Sequence, residues 1–170
     1  MSERIFRIAI DGPSGAGKST IAKAVAKRLG IDYIDTGAMY RAIGLKMLEK
    51  GLPMEESPAL TQMLAETEID FDSGNVFLDG EIVNDRIRTQ EVSKAASDCS
   101  ALGSVRAKLV ELQRKMGQAK SVIMDGRDIG TNVLTDAEYK YFLTATAEEI
   151  DSTNMSIEQV VDYICGKVGA

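Results

Sequence analysis

An α/β fold with a parallel sheet is what this sequence predicts, on two observations. Short apolar runs alternate with stretches that carry apolar residues at helical spacing, and a glycine-rich turn joins the first run to the first helical stretch. Ile5 to Ile10 reads as a strand, and Ile21 to Leu29 as a helix stopped by Gly30. Ile31 to Asp35 is a short second strand. Ala38 to Lys50 is a second helix, ended by Gly51 and Pro53. Ser57 caps a further helix to about Thr67. Glu68 to Val83 then alternates polar and apolar residues around Ser73-Gly74 and Asp79-Gly80, the pattern of a small β excursion with hairpin turns. Helical spacing returns over Thr89 to Ala101 and Ser104 to Gly117. Ser121 to Asp125 is a buried strand and Tyr139 to Thr144 another. Ser156 and Gln159 form a capping box for a last helix carrying Ile157, Val160, Val161, Ile164 and Val168.

The 170 residues suit a single domain with an ordinary composition, 44% hydrophobic and 27% charged. No apolar stretch is long enough to span a bilayer, and no signal-peptide core follows Met1, so the expected address is the cytoplasm, with no membrane partner. A net charge of −6 argues against nucleic acid as a partner. Cys99 and Cys165 show no metal-ligand spacing and read as small buried hydrophobes. The chain has no histidine, which removes Ser-His and Cys-His nucleophilic pairs, histidine metal sites and histidine general bases. Transfer of a phosphoryl group to an existing phosphate survives that exclusion, because a phosphate monoester with a second pKa near about 6 is already largely ionised at neutral pH.

Gly12-Pro13-Ser14-Gly15-Ala16-Gly17-Lys18-Ser19-Thr20 satisfies GxxxxGK[ST] between the first strand and the first helix. Such glycines let backbone N–H groups turn inward around phosphate oxygens, the helix N-terminus adds its positive end, Lys18 reaches the outer phosphates, and Ser19 places its hydroxyl on Mg²⁺. A nucleoside triphosphate is the implied ligand. Ligands of open parallel sheets gather at the carboxyl ends of the strands. Two further segments exit there: Asp35 to Arg41, and Asp125 to Thr131. Asp11 and Asp125, at strand ends, would support Mg²⁺ through water or organise the glycine-rich loop, and rank below Ser19.

Together with the glycine-rich loop, Asp35-Thr36-Gly37-Ala38-Met39-Tyr40-Arg41, Ile87-Arg88-Thr89-Gln90-Glu91-Val92 and Asp125-Gly126-Arg127-Asp128-Ile129-Gly130-Thr131 resemble the bacterial cytidylate kinases in order along nearly the whole chain. The resemblance implies a monomer with a three-layer α/β/α P-loop kinase core and a small β-containing acceptor-binding insertion at about 64–88. It implies transfer of the γ-phosphoryl group of ATP to CMP or dCMP. Arg41 and Arg127 would hold the acceptor phosphate, with Thr36 and Tyr40 lining the same pocket; Ser97, Arg106 and Asp128 would read the cytosine. A carboxylate accepts from the exocyclic amine and rejects uracil, which presents an acceptor there. A UMP, AMP or shikimate kinase on the same core is the nearest alternative. The sequence departs from the family near 149–151, where the lid and its arginines have no counterpart, so an ATP-binding module without turnover is the alternative of another class.

Overall fold

A computed structural model describes residues 4–12, 17–126, 129–143 and 157–169. They fall into two compact units, Met1–Asp35 with Arg114–Ala170, and Thr36–Gln113.

The first unit is built on a four-stranded, all-parallel sheet in the order β2-β6-β1-β7, comprising β1 (Arg7–Asp11), β2 (Asp32–Ile34), β6 (Val122–Gly126) and β7 (Tyr139–Phe142). Ile8, Ala9 and Ile10 of β1 are all fully buried. Successive strand residues point to opposite faces, so three in a row at zero exposure mean that both faces are covered. On one face Ile8, Ile10 and Ile123 meet Ile21, Ala22, Val25 and Ala26 of α1 (Lys18–Leu29) and Val160, Val161 and Ile164 of α6 (Ile157–Val168). Of the residues at helical spacing in the predicted last helix, Val160, Val161, Ile164 and Val168 form the stripe that packs. Its Ser156 cap lies outside the described residues. Cys165 in α6 is only partly covered, unlike the fully buried Cys99, and its thiol lies beside Arg28.

In the second unit, α2 (Thr36–Glu49) packs on α4 (Gln90–Cys99), with α3 (Pro58–Ala65), a three-stranded antiparallel sheet and the start of α5 (Gly103–Ala119) completing it. The sheet joins β3 (Ile69–Asp72), β4 (Asn75–Leu78) and β5 (Glu81–Ile82), inside the predicted excursion. In β3, Ile69 and Phe71 are buried while Asp70 and Asp72 are exposed. Both connections are the expected two-residue turns, with positive φ at Ser73 (53°), Gly74 (83°), Asp79 (51°) and Gly80 (85°). Two consecutive left-handed residues match the right-handed twist of hairpin strands. Ser57 caps α3 by accepting from the Leu60 amide, and Thr89 caps α4 from Val92, each where the sequence marks a start.

The structure departs from the sequence reading at α2. It begins at Thr36, with Asp35 in the preceding position where an acidic residue favours a helix start, so Thr36 to Arg41 is helix and not loop. Two tighter or wider turns were not predicted: a 3₁₀ turn over Arg86–Arg88 and a π turn over Ile129–Val133.

Lys46 faces inward from α2 and is 8% exposed. Its ammonium donates to the Asp79 carboxylate at 2.7 Å, the Thr67 hydroxyl at 3.0 Å and the Glu66 carbonyl at 3.4 Å, which uses all three of its protons. Burial opposes ionisation of Asp79, but the Lys46 hydrogen bond and the Glu68 amide outweigh it and hold the carboxyl below its usual range. The stabilisation is therefore complete above the ordinary carboxylate pKa and is lost as pH falls through the lowered one. Lys46→Met is expected to lower unfolding free energy by about 1–3 kcal/mol at pH 7 and to flatten the acid side of the stability–pH curve. Urea titrations of both proteins across pH 3–7 (roughly the carboxylate range) check this.

Gly44 marks the crossing of α2 and α4. A Cβ there would stand 2.9 Å from the Ala96 amide nitrogen and 3.0 Å from the Ala95 Cβ, so only glycine allows this spacing. Gly44→Ala is expected to cost about 1–3 kcal/mol in denaturant unfolding, the range for overpacking. Gly103→Ala, whose added Cβ meets nothing within 4 Å, is the matched control and should change stability by no more than about 1 kcal/mol.

Candidate active site

The strand order puts a switch point at the carboxyl end of β1. From β1 the chain crosses to β2 on one side, whereas β7 lies on the other, and loops leaving such a point diverge to open a crevice. Asp11 is paired in register with Gly126 of β6 and Phe142 of β7, so the glycine-rich loop leaves the sheet beside the Asp125-Gly126 segment.

Gly17, in the left-handed conformation (φ 82°), is the N-cap of α1 and makes no side-chain cap hydrogen bond; the first turn holds no acidic residue. A helix start with no capping side chain and no acid presents its positive end to an anion. The Lys18 ammonium donates to the Gly12 carbonyl at 2.8 Å, which holds it at the mouth of the loop. Ser19 and Thr20 are exposed on the first turn of the helix. Pro13, Ser14, Gly15 and Ala16 lie outside the described residues, as do Arg127 and Asp128.

Two carboxylates at adjacent strand ends have different jobs. Asp11, 6% exposed, accepts from the amides of Ile129 and Gly130. Asp125 accepts from the Tyr33 hydroxyl at 2.7 Å. Burial lifts the Asp125 carboxyl above the usual carboxylate range; the Tyr33 hydrogen bond pulls it down, Asp35 pushes it up and the Lys18 charge pulls it down. Burial, together with the bond to Asp125, raises Tyr33 so that it stays a protonated donor. Tyr33 was not singled out from the sequence. Its only signal is a polar tip on a short predicted strand.

The acceptor residues expected from sequence that the structure describes lie in the second unit. Thr36 and Tyr40 are half-buried and Arg41 is exposed on α2; Ser97 is exposed on α4, and Arg106 is exposed on α5. The packing of α2 on α4 brings Tyr40 and the Ser97 helix together, with the Cys99 thiol donating to the Tyr40 carbonyl at 3.6 Å. Burial pushes that thiol up to about 11, so Cys99 is an inert packing group. On the same helix, Glu111 is paired with Lys108. Arg88 donates to the Asn84 carbonyl at 3.3 Å, within the expected insertion at about 64–88.

A family model described as cytidylate kinase matches residues 8–149. The chain belongs to the cytidylate kinase family. The cytidylate kinase of Clostridioides difficile (strain 630) is 54% identical over 167 residues, covering 92% of this chain and 77% of that protein. Those of Caldanaerobacter subterraneus subsp. tengcongensis and Caldicellulosiruptor saccharolyticus are 52% and 56% identical, over 84% and 85% of this chain. This cytidylate kinase family chain spans only 64% and 66% of those two relatives. Among solved structures, the shikimate kinase of Bacteroides thetaiotaomicron is a remote comparison, with a TM-score of 0.39 and 13% identity over 98% of this chain and 79% of that one.

The hydrogen bond from Tyr33 lowers the Asp125 pKa, so removing it raises that pKa further. Tyr33→Phe is expected to move the acid limb of the kcat/KM profile to higher pH, which pH–rate profiles of the two proteins check. Ionisation of a phosphate substrate falls equally on both proteins and cancels in the comparison. Coincident acid limbs would remove Asp125 from the ionisations that limit the rate.

Proposed function

We propose that the protein transfers the γ-phosphoryl group of ATP to CMP or dCMP, giving ADP and the nucleoside diphosphate. One observation carries the reading: the segment matched by the cytidylate kinase model, 8–149, contains both the uncapped, lysine-bearing start of α1 and the arginine-bearing acceptor helices. The phosphate-loop backbone (Gly12 to Gly17) and Lys18 hold the donor phosphates, with Ser19 and Thr20 at the helix start. Arg41 and Arg127 align the acceptor phosphate, beside Thr36 and Tyr40, for in-line attack of its oxygen on the γ-phosphorus. ADP departs as the leaving group. No residue need act as a general base, because the acceptor oxygen is already ionised. Ser97, Arg106 and Asp128 read the cytosine. The proposed setting is the cytoplasm and the proposed acting species a monomer.

Among the described residues no group of three His, Cys, Asp or Glu is placed to cage a metal. The donors at hand are hard oxygens, the Ser19 hydroxyl and the Asp125 carboxylate. That set fits Mg²⁺, which keeps several waters and binds through one or two protein groups plus substrate phosphates. When bound it would neutralise charge on the transferring group. The lid arginines that the family supplies near 149–151 have no counterpart here. Such arginines contribute about 10³ to 10⁵ in rate in comparable enzymes, so slow turnover with intact binding is expected.

ADP release coupled to CMP and Mg²⁺ is expected to exceed that with UMP or AMP. Lys18→Ala should lower kcat at least about 100-fold, the scale for one preorganised charge donor. Arg106→Ala should raise the KM for CMP by roughly 10- to 100-fold, as for a hydrogen bond to a charged group, with little change for ATP. An ATP analogue that binds without any CMP-dependent ADP release would instead assign a nucleotide-binding module.

A further inference from the structure

Asp11 spends both carboxylate oxygens on the backbone of one turn. Its Oδ1 accepts from the Ile129 amide at 2.7 Å and its Oδ2 from the Gly130 amide at 2.9 Å, both within buried surroundings. The same residue's carbonyl accepts from the Leu143 amide at 2.9 Å, and the next amide, Gly12, donates to the Gly126 carbonyl at 3.2 Å. The chain on both sides of Arg127 and Asp128 is thereby tied to the exit of β1. On the near side, Gly126 is held to Gly12. On the far side, Ile129 and Gly130 are held to Asp11.

The fit around these bonds is tight. A Cβ on Gly126 would lie 2.7 Å from the Ile129 Cγ1, and one on Gly130 would lie 3.3 Å from the Asp11 Oδ2. The turn that starts at Ile129 closes with the wide bond from the Leu134 amide to the Ile129 carbonyl, 2.6 Å. Its last carbonyl, on Val133, accepts from the Arg114 Nε at 3.1 Å. A π turn is intrinsically unfavourable and is typical of functional segments. Here a buried carboxylate at its start and a guanidinium at its end secure it.

We propose that Asp11 is a positioning residue for the acceptor: it fixes the segment flanking Arg127 and Asp128 to the first residue of the phosphate loop. One buried carboxylate then holds the exit of β1 and the start of the π turn in a common frame, and is spent on two amides instead of on metal. The kinetic consequence rests on the proposed CMP kinase reading, whereas the backbone tie does not.

Asp11→Asn is nearly isosteric but turns one acceptor into an amide donor facing an N–H group. Amide exchange of the peptide covering 126–134, followed by mass spectrometry, is expected to quicken by roughly 10-fold or more. The kcat/KM for CMP should fall about 10- to 100-fold, mainly through KM, as for a lost bond to a charged group. The dissociation constant for ADP should change by less than about threefold, below the scale of such a bond. If Asp11→Asn does not fold, Gly130→Ala, which crowds the same oxygen, is expected to give the same split on a smaller scale. Unchanged exchange over 126–134 would overturn the tie. Faster exchange with unchanged CMP kinetics, or an equal loss of ADP affinity, would overturn the positioning role. Wild-type protein that turns over no CMP while its variant shows the faster exchange would defeat the proposed function and leave the tie standing.

Discussion

Everything chemical in the first unit depends on β1 being hydrogen-bonded along both edges while buried on both faces. The parallel register with β6 and β7 sets which residues emerge side by side: Asp11 beside Gly126, and Ile10 beside Asp125. Burying Ile8 and Ile10 contributes about 1.5–3 kcal/mol for each side chain. That stabilisation is what holds a glycine-rich segment, with little structure of its own to offer, at a fixed place. A one-residue slip of β1 would exchange its faces and turn the loop away from α1.

Charge at this place runs against the molecule's total. The chain carries −6 overall, yet α1 starts without a cap or an acid and with Lys18 at its first position. The nearby carboxylates do not cancel that field equally. Asp11 directs both oxygens at two amides, while burial resists the ionisation of Asp125 despite its bond from the Tyr33 hydroxyl. A polyanion therefore meets a locally favourable field on an acidic protein. Global charge governs nonspecific association, and a helix end governs the site.

Features encoded within a few residues were legible in the sequence. The hairpin turns are written in Ser73-Gly74 and Asp79-Gly80, the helix caps in Ser57 and Thr89, and the α6 stripe in its spacing. The family was legible from four short motifs in order. What was not legible depends on distant partners. The π turn at Ile129–Val133 needs Asp11 and Arg114, and nothing local to Ile129 announces either. Lys46 reads as a surface residue because a lysine is buried only when paired, and its partners lie on α3's exit and a hairpin tip. The early start of α2 was missed because Thr36 and Gly37 are poor helix formers, overridden by the preceding Asp35 and by tertiary packing. Candidate residues Pro13 to Ala16, Arg127 and Asp128 belong to segments that the described residues flank without containing.

The first unit is assembled from two stretches of chain, Met1–Asp35 and Arg114–Ala170, with the whole of the second between them. Phe6 bonds Ser121 across a separation of 115 residues, and the Asp11 ties span 118 and 119. Such contacts must overcome a loop-closure entropy that local helix and hairpin contacts do not face. On a ribosome, β1 emerges early and waits unpaired on both edges until β6 and β7 have been made, whereas the second unit is contiguous and closes its own contacts at short range. The strand that organises the phosphate loop is thus synthesised before both of its partners and completed only after them. Its exposed apolar edges in the interval are the point in the life of this chain most open to aggregation.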